Sequence, residues 1–177
     1  MMKILVAYKS KTGFTEKYAR WIAEELKADI FDYHKVKQSK LERYDIIIYG
    51  GSLHAVGIIG VKIITQNLNK LKDKKVIVFA VGASPFRQEV IKKVRDENFS
   101  KEEQEYIKFY YLRGGFNYNK LPLWDKILMK LLQMKLKRKK ILTPDDKGLL
   151  NAYKKPVDFT WKGNIAEIVS YVQSLSA

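Results

Sequence analysis

Five short apolar runs, Ile4–Tyr8, Ile30–Tyr33, Tyr44–Tyr49, Val76–Val81 and Tyr106–Leu112, recur along the chain before residue 113. Each is too short for a helix and rich in β-formers, and apolar side chains run through it with little alternation, as in strands covered on both faces of a parallel sheet. Helical periodicity fills the gaps: one stretch ends at about Lys27, one lies near Ile58–Leu71 and one near Pro85–Arg95. In the first, Tyr18, Trp21, Ile22 and Leu26 fall on one face among Glu16, Lys17, Arg20, Glu24 and Lys27. This βαβ rhythm predicts an α/β, doubly wound sandwich with a five-stranded parallel sheet and helices on both faces. A chain of 177 residues is long enough for one well-buried domain and short for two, so a single domain over 1–177 is expected. Ligands of such folds bind beyond the carboxyl ends of the strands, where the strand order reverses.

Three strand ends carry candidate ligand loops. After the first strand comes Ser10-Lys11-Thr12-Gly13-Phe14-Thr15, directly before a helical pattern. Unpaired N–H groups at a helix start, with the positive end of its dipole, favour an anion. The hydroxyls of Ser10, Thr12 and Thr15 add donors for phosphate oxygens, and Gly13 permits close backbone approach. The competing explanation is that these Ser and Thr residues only cap the helix. Neither the glycine-lysine pair of a P-loop nor a G-x-G-x-x-G after a strand occurs, which argues against ATP, GTP and dinucleotides. The third strand runs into Gly50-Gly51-Ser52-Leu53-His54-Ala55-Val56-Gly57, and the fourth into Gly82-Ala83-Ser84-Pro85-Phe86. Small residues at all three ends would let a flat ligand lie close to backbone.

The absence of cysteine removes disulfides, thiolate metal sites, iron–sulfur clusters and thiol catalysis, so redox chemistry would have to come from a bound cofactor. With His34 and His54 as the two histidines and no H-E-x-x-H motif, no protein-bound metal is expected. His54 sits in a candidate ligand loop, where proton transfer or a hydrogen bond to a ligand competes with plain solvation; it is the single candidate for a catalytic side chain. No apolar stretch is long enough for a signal peptide or membrane span, and the expectation is a soluble, cytoplasmic protein.

The net charge is +15, and much of the excess is local: residues 120–140 hold eight Lys or Arg, from Lys120 to Lys140, against one acid, Asp125. There Leu121, Trp124, Ile127, Leu128, Leu131 and Leu132 share one broad helical face, while Lys126, Lys130, Gln133, Lys137 and Lys140 fall opposite. Such a helix either packs on the domain or lies peripherally on the inner face of a membrane. Nucleic-acid binding is not expected, because it would rest on charge without a recognisable binding motif.

The order of strand, S-K-T-G-F-T loop, helix, Gly-Gly-Ser loop and Gly-Ala-Ser-Pro loop resembles the flavodoxin family, whose phosphate loop follows [T/S]-x-T-G-x-T. The resemblance implies strand order 2-1-3-4-5 and FMN as cofactor. It places the phosphate at Ser10, Lys11, Thr12, Gly13, Phe14 and Thr15, and the isoalloxazine ring between Gly51, Ser52, Leu53, His54 and Ala55 on one side and Gly82, Ala83, Ser84 and Phe86 on the other. Tyr106–Tyr118, the basic helix and the ending Val157-Asp158-Phe159-Thr160-Trp161 are similar to segments of menaquinone-dependent protoporphyrinogen oxidases, flavodoxin relatives of heme biosynthesis. That likeness implies an FMN-dependent oxidoreductase with an anionic substrate such as a porphyrinogen and a quinone acceptor. The alternative is an electron-transfer protein that docks on an acidic redox partner.

Overall fold

The five apolar runs pair side by side. In the computed structural model, which describes residues 2–175, the strands are β1 (Ile4–Lys9), β2 (Asp29–Asp32), β3 (Ile46–His54), β4 (Gly57–Ile58), β5 (Lys75–Gly82), β6 (Ile107–Arg113), β7 (Gly115–Phe116) and β8 (Val157–Asp158). The main sheet runs β2-β1-β3-β5-β6, all parallel along that path, with β4 antiparallel to the end of β3. With β4 set aside this is the expected order 2-1-3-4-5. Alternate side chains enter two cores. Leu5, Ala7, Ile47, Tyr49, Val76 and Val78 point to one face, and Val6, Ile46, Ile48, Ile77 and Phe79 to the other.

Helices cover both faces by burying apolar side chains against the sheet. On the second face lie α1 (Phe14–Leu26), through Tyr18, Ala19 and Ile22, and α8 (Ala166–Ser174), through Ile168 and Val172. The first face receives Leu41 from α2 (Gln38–Leu41), Ile64 from α3 (Lys62–Thr65) and Val94 from α4 (Gln88–Asn98). A short α5 (Lys101–Tyr106) follows, opened by a reciprocal Ser100–Glu103 capping box. Between β6 and α8 the chain makes a long excursion through β7, α6 (Leu123–Lys137), α7 (Pro144–Lys154) and β8. No helix among the described residues is long and apolar enough to cross a membrane.

Two expectations are corrected. The third strand does not end at Tyr49 but continues through Gly50 and Gly51 to His54, held by β1 as far as Gly51 and by β5 as far as Ser52. The glycines are there for space: a Cβ on Gly50 would run into the Phe79 ring, and one on Gly51 would meet Ile58 and the Ile59 carbonyl. The helix expected near Ile58–Leu71 is instead the β4 return, the single turn α3 and a 3₁₀ turn at Leu68–Lys70. Gly60, at φ 76°, turns the chain there, and a side chain in its place would strike the Tyr49 hydroxyl.

Gly50→Ala should therefore act as an overpacking substitution in a buried stretch of β3. The expected loss is at least about 1–3 kcal/mol of unfolding free energy, measured by urea denaturation at unchanged slope.

Candidate functional site

A cavity of about 730 Å³ opens at the carboxyl edge of the sheet, against the ends of β1, β3, β5 and β6. Its floor is the loop after β1, the end of β3 and the loop after β5; α6 and α7 roof it with Leu128, Met129, Leu132, Leu149 and Ala152. This is the crevice at the reversal of strand order where ligands of doubly wound folds bind.

The loop after β1 is built to leave donors free. Gly13, at φ 94°, precedes α1, and no side chain caps that helix. Its hydrogen-bond ladder begins with Lys17 N–H donating to the Gly13 carbonyl at 3.0 Å, which leaves the first-turn amides of Phe14, Thr15 and Glu16 outside the ladder. Capping by the loop hydroxyls, the competing explanation for this motif, is thus not what they do. Ser10 Oγ accepts from the Gly13 N–H at 3.0 Å and so shapes the turn. Thr15 is fully buried and shares a 2.8 Å hydrogen bond with Ser52 Oγ, which also accepts from the Lys11 N–H at 3.2 Å. Ser52 therefore ties the end of β3 to the loop after β1.

A charged cluster closes the roof on this loop. Lys11 Nζ donates to Asp125 Oδ2 at 2.6 Å and lies 3.1 Å from His54 Nδ1, while His54 Nδ1 is 3.4 Å from Asp125 Oδ1. Asp125 stands in the first turn of α6, where the helix dipole favours a carboxylate, and it is buried. A second clasp, Arg87 to Asp145 at 2.8 Å, joins the loop before α4 to the start of α7. It is exposed and contributes little by itself.

The far wall is fixed by aromatic hydroxyls. Tyr111 donates to the Ser84 carbonyl at 2.9 Å and fills the space a Gly82 side chain would take, so it holds the loop after β5; burial pushes its pKa up to about 12, and it remains a donor throughout the ordinary pH range. Arg113, at the end of β6, stacks its guanidinium 3.8 Å from the centre of the Phe159 ring. β8 pairs antiparallel with β7, and Lys17 reaches Asp158 at 3.0 Å, which brings the segment after α7 back beside α1. Within the roof, the Tyr153 hydroxyl of α7 bonds to the Met129 carbonyl of α6, and the Tyr153 ring packs on Phe116 and Tyr118.

Of the residues singled out in the sequence, Lys11, Thr12, Phe14, Ser52, Leu53, His54, Ala55, Gly82, Ala83 and Ser84 line this one cavity. Ser10, Gly13, Thr15 and Gly51 do not line it, and Phe86 is 64% exposed and outside it. Sequence reasoning missed Asp125, Arg113, Phe116, Asn117 and the whole α7 contribution. Asp125 had a signal, being the lone acid of the basic segment. So had α7: Thr143-Pro144-Asp145-Asp146 is a helix start, and its capping box is present.

A flavodoxin domain family model matches residues 5–142. The chain belongs to the flavodoxin domain family. It is similar to an uncharacterized protein of Methanocaldococcus jannaschii, 38% identical over 109 residues, which span 56% of this chain and 68% of that one. Among solved structures it is similar to the Trp repressor binding protein from Bacillus subtilis at 16% identity and TM-score 0.49, over 65% of this chain and 85% of that one. It is also similar to Megasphaera elsdenii flavodoxin, at 17% identity and TM-score 0.42, over 68% and 88%.

FMN is the cofactor this flavodoxin family implies, and the residues present suit it. The free first-turn amides and the Thr12 hydroxyl at the cavity offer donors for a phosphate. A volume of about 730 Å³ lies in the range of cofactor pockets.

The roof should loosen when its buried carboxylate is neutralised. Asp125→Asn breaks the ion pair with Lys11, and the expected cost is about 1–3 kcal/mol of local opening, read as faster amide hydrogen exchange over residues 123–137. A second handle is Asp146 of α7, whose carboxyl is held down to about 2 by the Lys139 ammonium at 2.6 Å and by the Thr143 N–H. A carboxyl with a lowered folded pKa stabilises above its unfolded value and loses that contribution as pH falls through the folded one. The α6–α7 contact should thus weaken between about pH 4 and pH 2. In an NMR titration, Lys139→Ala should move the Asp146 midpoint back up toward 3.8.

Proposed function

We propose that this flavodoxin-family protein is an FMN-dependent oxidoreductase that acts on an anionic small molecule inside the roofed cavity, with a porphyrinogen as substrate and a quinone as acceptor. The observation that supports it most is the roof itself: α6 and α7 enclose the carboxyl edge of the sheet with apolar side chains and leave the Arg113 guanidinium at the lining, beside the Lys11–Asp125 pair. A freely exposed flavin edge suits a carrier, whereas a covered apolar chamber with a guanidinium at its wall suits a flat apolar substrate bearing carboxylates.

Bound FMN would supply the electron and hydride chemistry. The protein's part is binding and electrostatics. The first-turn amides of Phe14, Thr15 and Glu16 and the Thr12 hydroxyl would hold the phosphate, in a turn shaped by the Lys11 and Gly13 amides through Ser52 and Ser10. Leu53, His54, Ala55, Gly82, Ala83 and Ser84 would flank the ring. The Ser52–Ala55 and Gly82–Pro85 stretches carry no Phe, Tyr or Trp, so on those two sides the ring would rest on aliphatic groups and on the His54 imidazole. His54, within reach of both Lys11 and Asp125, would exchange a proton with the ligand or hold it in place.

The first experiment is an absorption spectrum after incubation with FMN and desalting, where retained flavin gives bands near about 375 and 450 nm. Thr12→Ala should weaken FMN about tenfold and leave riboflavin binding unchanged, because it removes a donor to the phosphate alone. The loaded protein should then oxidise protoporphyrinogen anaerobically with a menaquinone analogue. Failure with every quinone, combined with salt-sensitive electron exchange with an acidic redox protein, would favour the electron-transfer alternative, to which the basic segment is also suited.

A further inference from the structure

Helix α6 has two apolar faces, and just one of them is used by the fold. Its inner face puts Asp125, Leu128, Met129, Leu132 and Leu136 toward the cavity and α7, with Asp125 and Leu136 buried. On the other side Leu123, Trp124, Ile127, Leu131 and Met134 recur at helical spacing and are exposed, Leu123 by 72%, Trp124 by 77% and Leu131 by 53%. The single apolar face expected from periodicity is thereby corrected: Leu132 turns inward, Leu128 borders the cavity while remaining 52% exposed, and Trp124, Ile127 and Leu131 turn outward.

The charges around the outer stripe are of one sign. By helical position Lys126, Lys130 and Lys137 flank it on one side and Lys135 on the other, with Arg138 and Lys140 at its end, where Lys139 is paired with Asp146. Asp125, the lone acid of residues 120–140, is buried and paired with Lys11, and so offsets none of the outward charge. At 15 residues the helix is about 22 Å long, a length that lies along a surface.

We propose that this outer face of α6 docks the protein on an anionic lipid surface. Leu123, Trp124, Ile127 and Leu131 enter the acyl boundary, and the flanking lysines extend their alkyl stems beside them to reach headgroup phosphates. Charge selects this occupant. A second copy meeting the stripe about a twofold axis would bring two basic segments together without an acid between them, and a nucleic acid backbone has no use for an apolar stripe at the centre of the contact. The inference stands apart from the substrate assignment, since it requires neither flavin nor turnover.

The test is co-sedimentation of the full-length protein, with and without FMN, with vesicles of phosphatidylcholine containing one third phosphatidylglycerol or none. Expected are binding at least tenfold tighter to the anionic vesicles, a steep loss in about 0.5 M salt, and a blue shift of tryptophan emission that Trp124→Phe abolishes. Leu123→Gln/Ile127→Gln/Leu131→Gln keeps every charge and should reduce binding tenfold or more, with circular dichroism and FMN retention unchanged. Three results would overturn the proposal: no binding to anionic vesicles, unchanged binding by the triple variant, or a dimer in sedimentation equilibrium that the triple variant dissolves. None of the three bears on whether the loaded protein oxidises a porphyrinogen.

Discussion

The register of β3 between β1 and β5 sets the distances at the cavity. Lys9 lies opposite Gly51 in one ladder, and Ser52 lies opposite Val81 in the other, so the ends of all three strands arrive at one level. A parallel ladder fixes this only if the strands stay extended to the same height, which is why β3 must continue through its two glycines. Phe79 packs where a Gly50 side chain would be, and Ser52 then emerges within reach of both Thr15 and the Lys11 amide. A one-residue slip would turn Ser52 to the opposite face and detach the loop after β1 from its support.

From that support follows the division of labour in the Ser10–Thr15 loop. Its hydroxyls looked equivalent as donors, yet they sit in three different environments. Ser10 holds the turn, Thr15 is buried against Ser52, and Thr12 lines the cavity. Because no side chain caps α1, the amides of its first turn remain for an anion, at the end of the helix where the dipole is positive.

How far the sequence could be read depended on whether local pattern or tertiary space decided each element. The central strands were legible because a strand buried on both faces is apolar at every position, and this holds whatever packs against it. The Gly50–Gly51 pair was read as a loop because glycine marks both turns and close packing; the difference is the Phe79 ring, a residue 29 positions away. Ile58–Leu71 has enough apolar residues for a helix, but Ile58 is claimed by β3 and Gly60 takes a positive φ, so the stretch breaks into short turns. At the candidate site, the floor was visible as small residues at strand ends. The roof was not, since periodicity cannot say which of two adjacent apolar stripes of α6 faces inward.

Asp125 decides that orientation. A carboxylate in a basic amphipathic helix costs little when solvated, but facing the cavity it needs a cation, and Lys11 is the cation that the loop after β1 places there. The pairing has opposite effects on the two sides of α6. Inside, it neutralises a lysine at the cavity and secures the roof to the loop that faces the ligand. Outside, it withdraws the segment's lone acid from the surface, so the exposed stripe of Leu123, Trp124, Ile127 and Leu131 is bordered by cations alone. One buried carboxylate thus couples how tightly the cavity is covered to the charge that the covering helix shows to whatever lies beyond it.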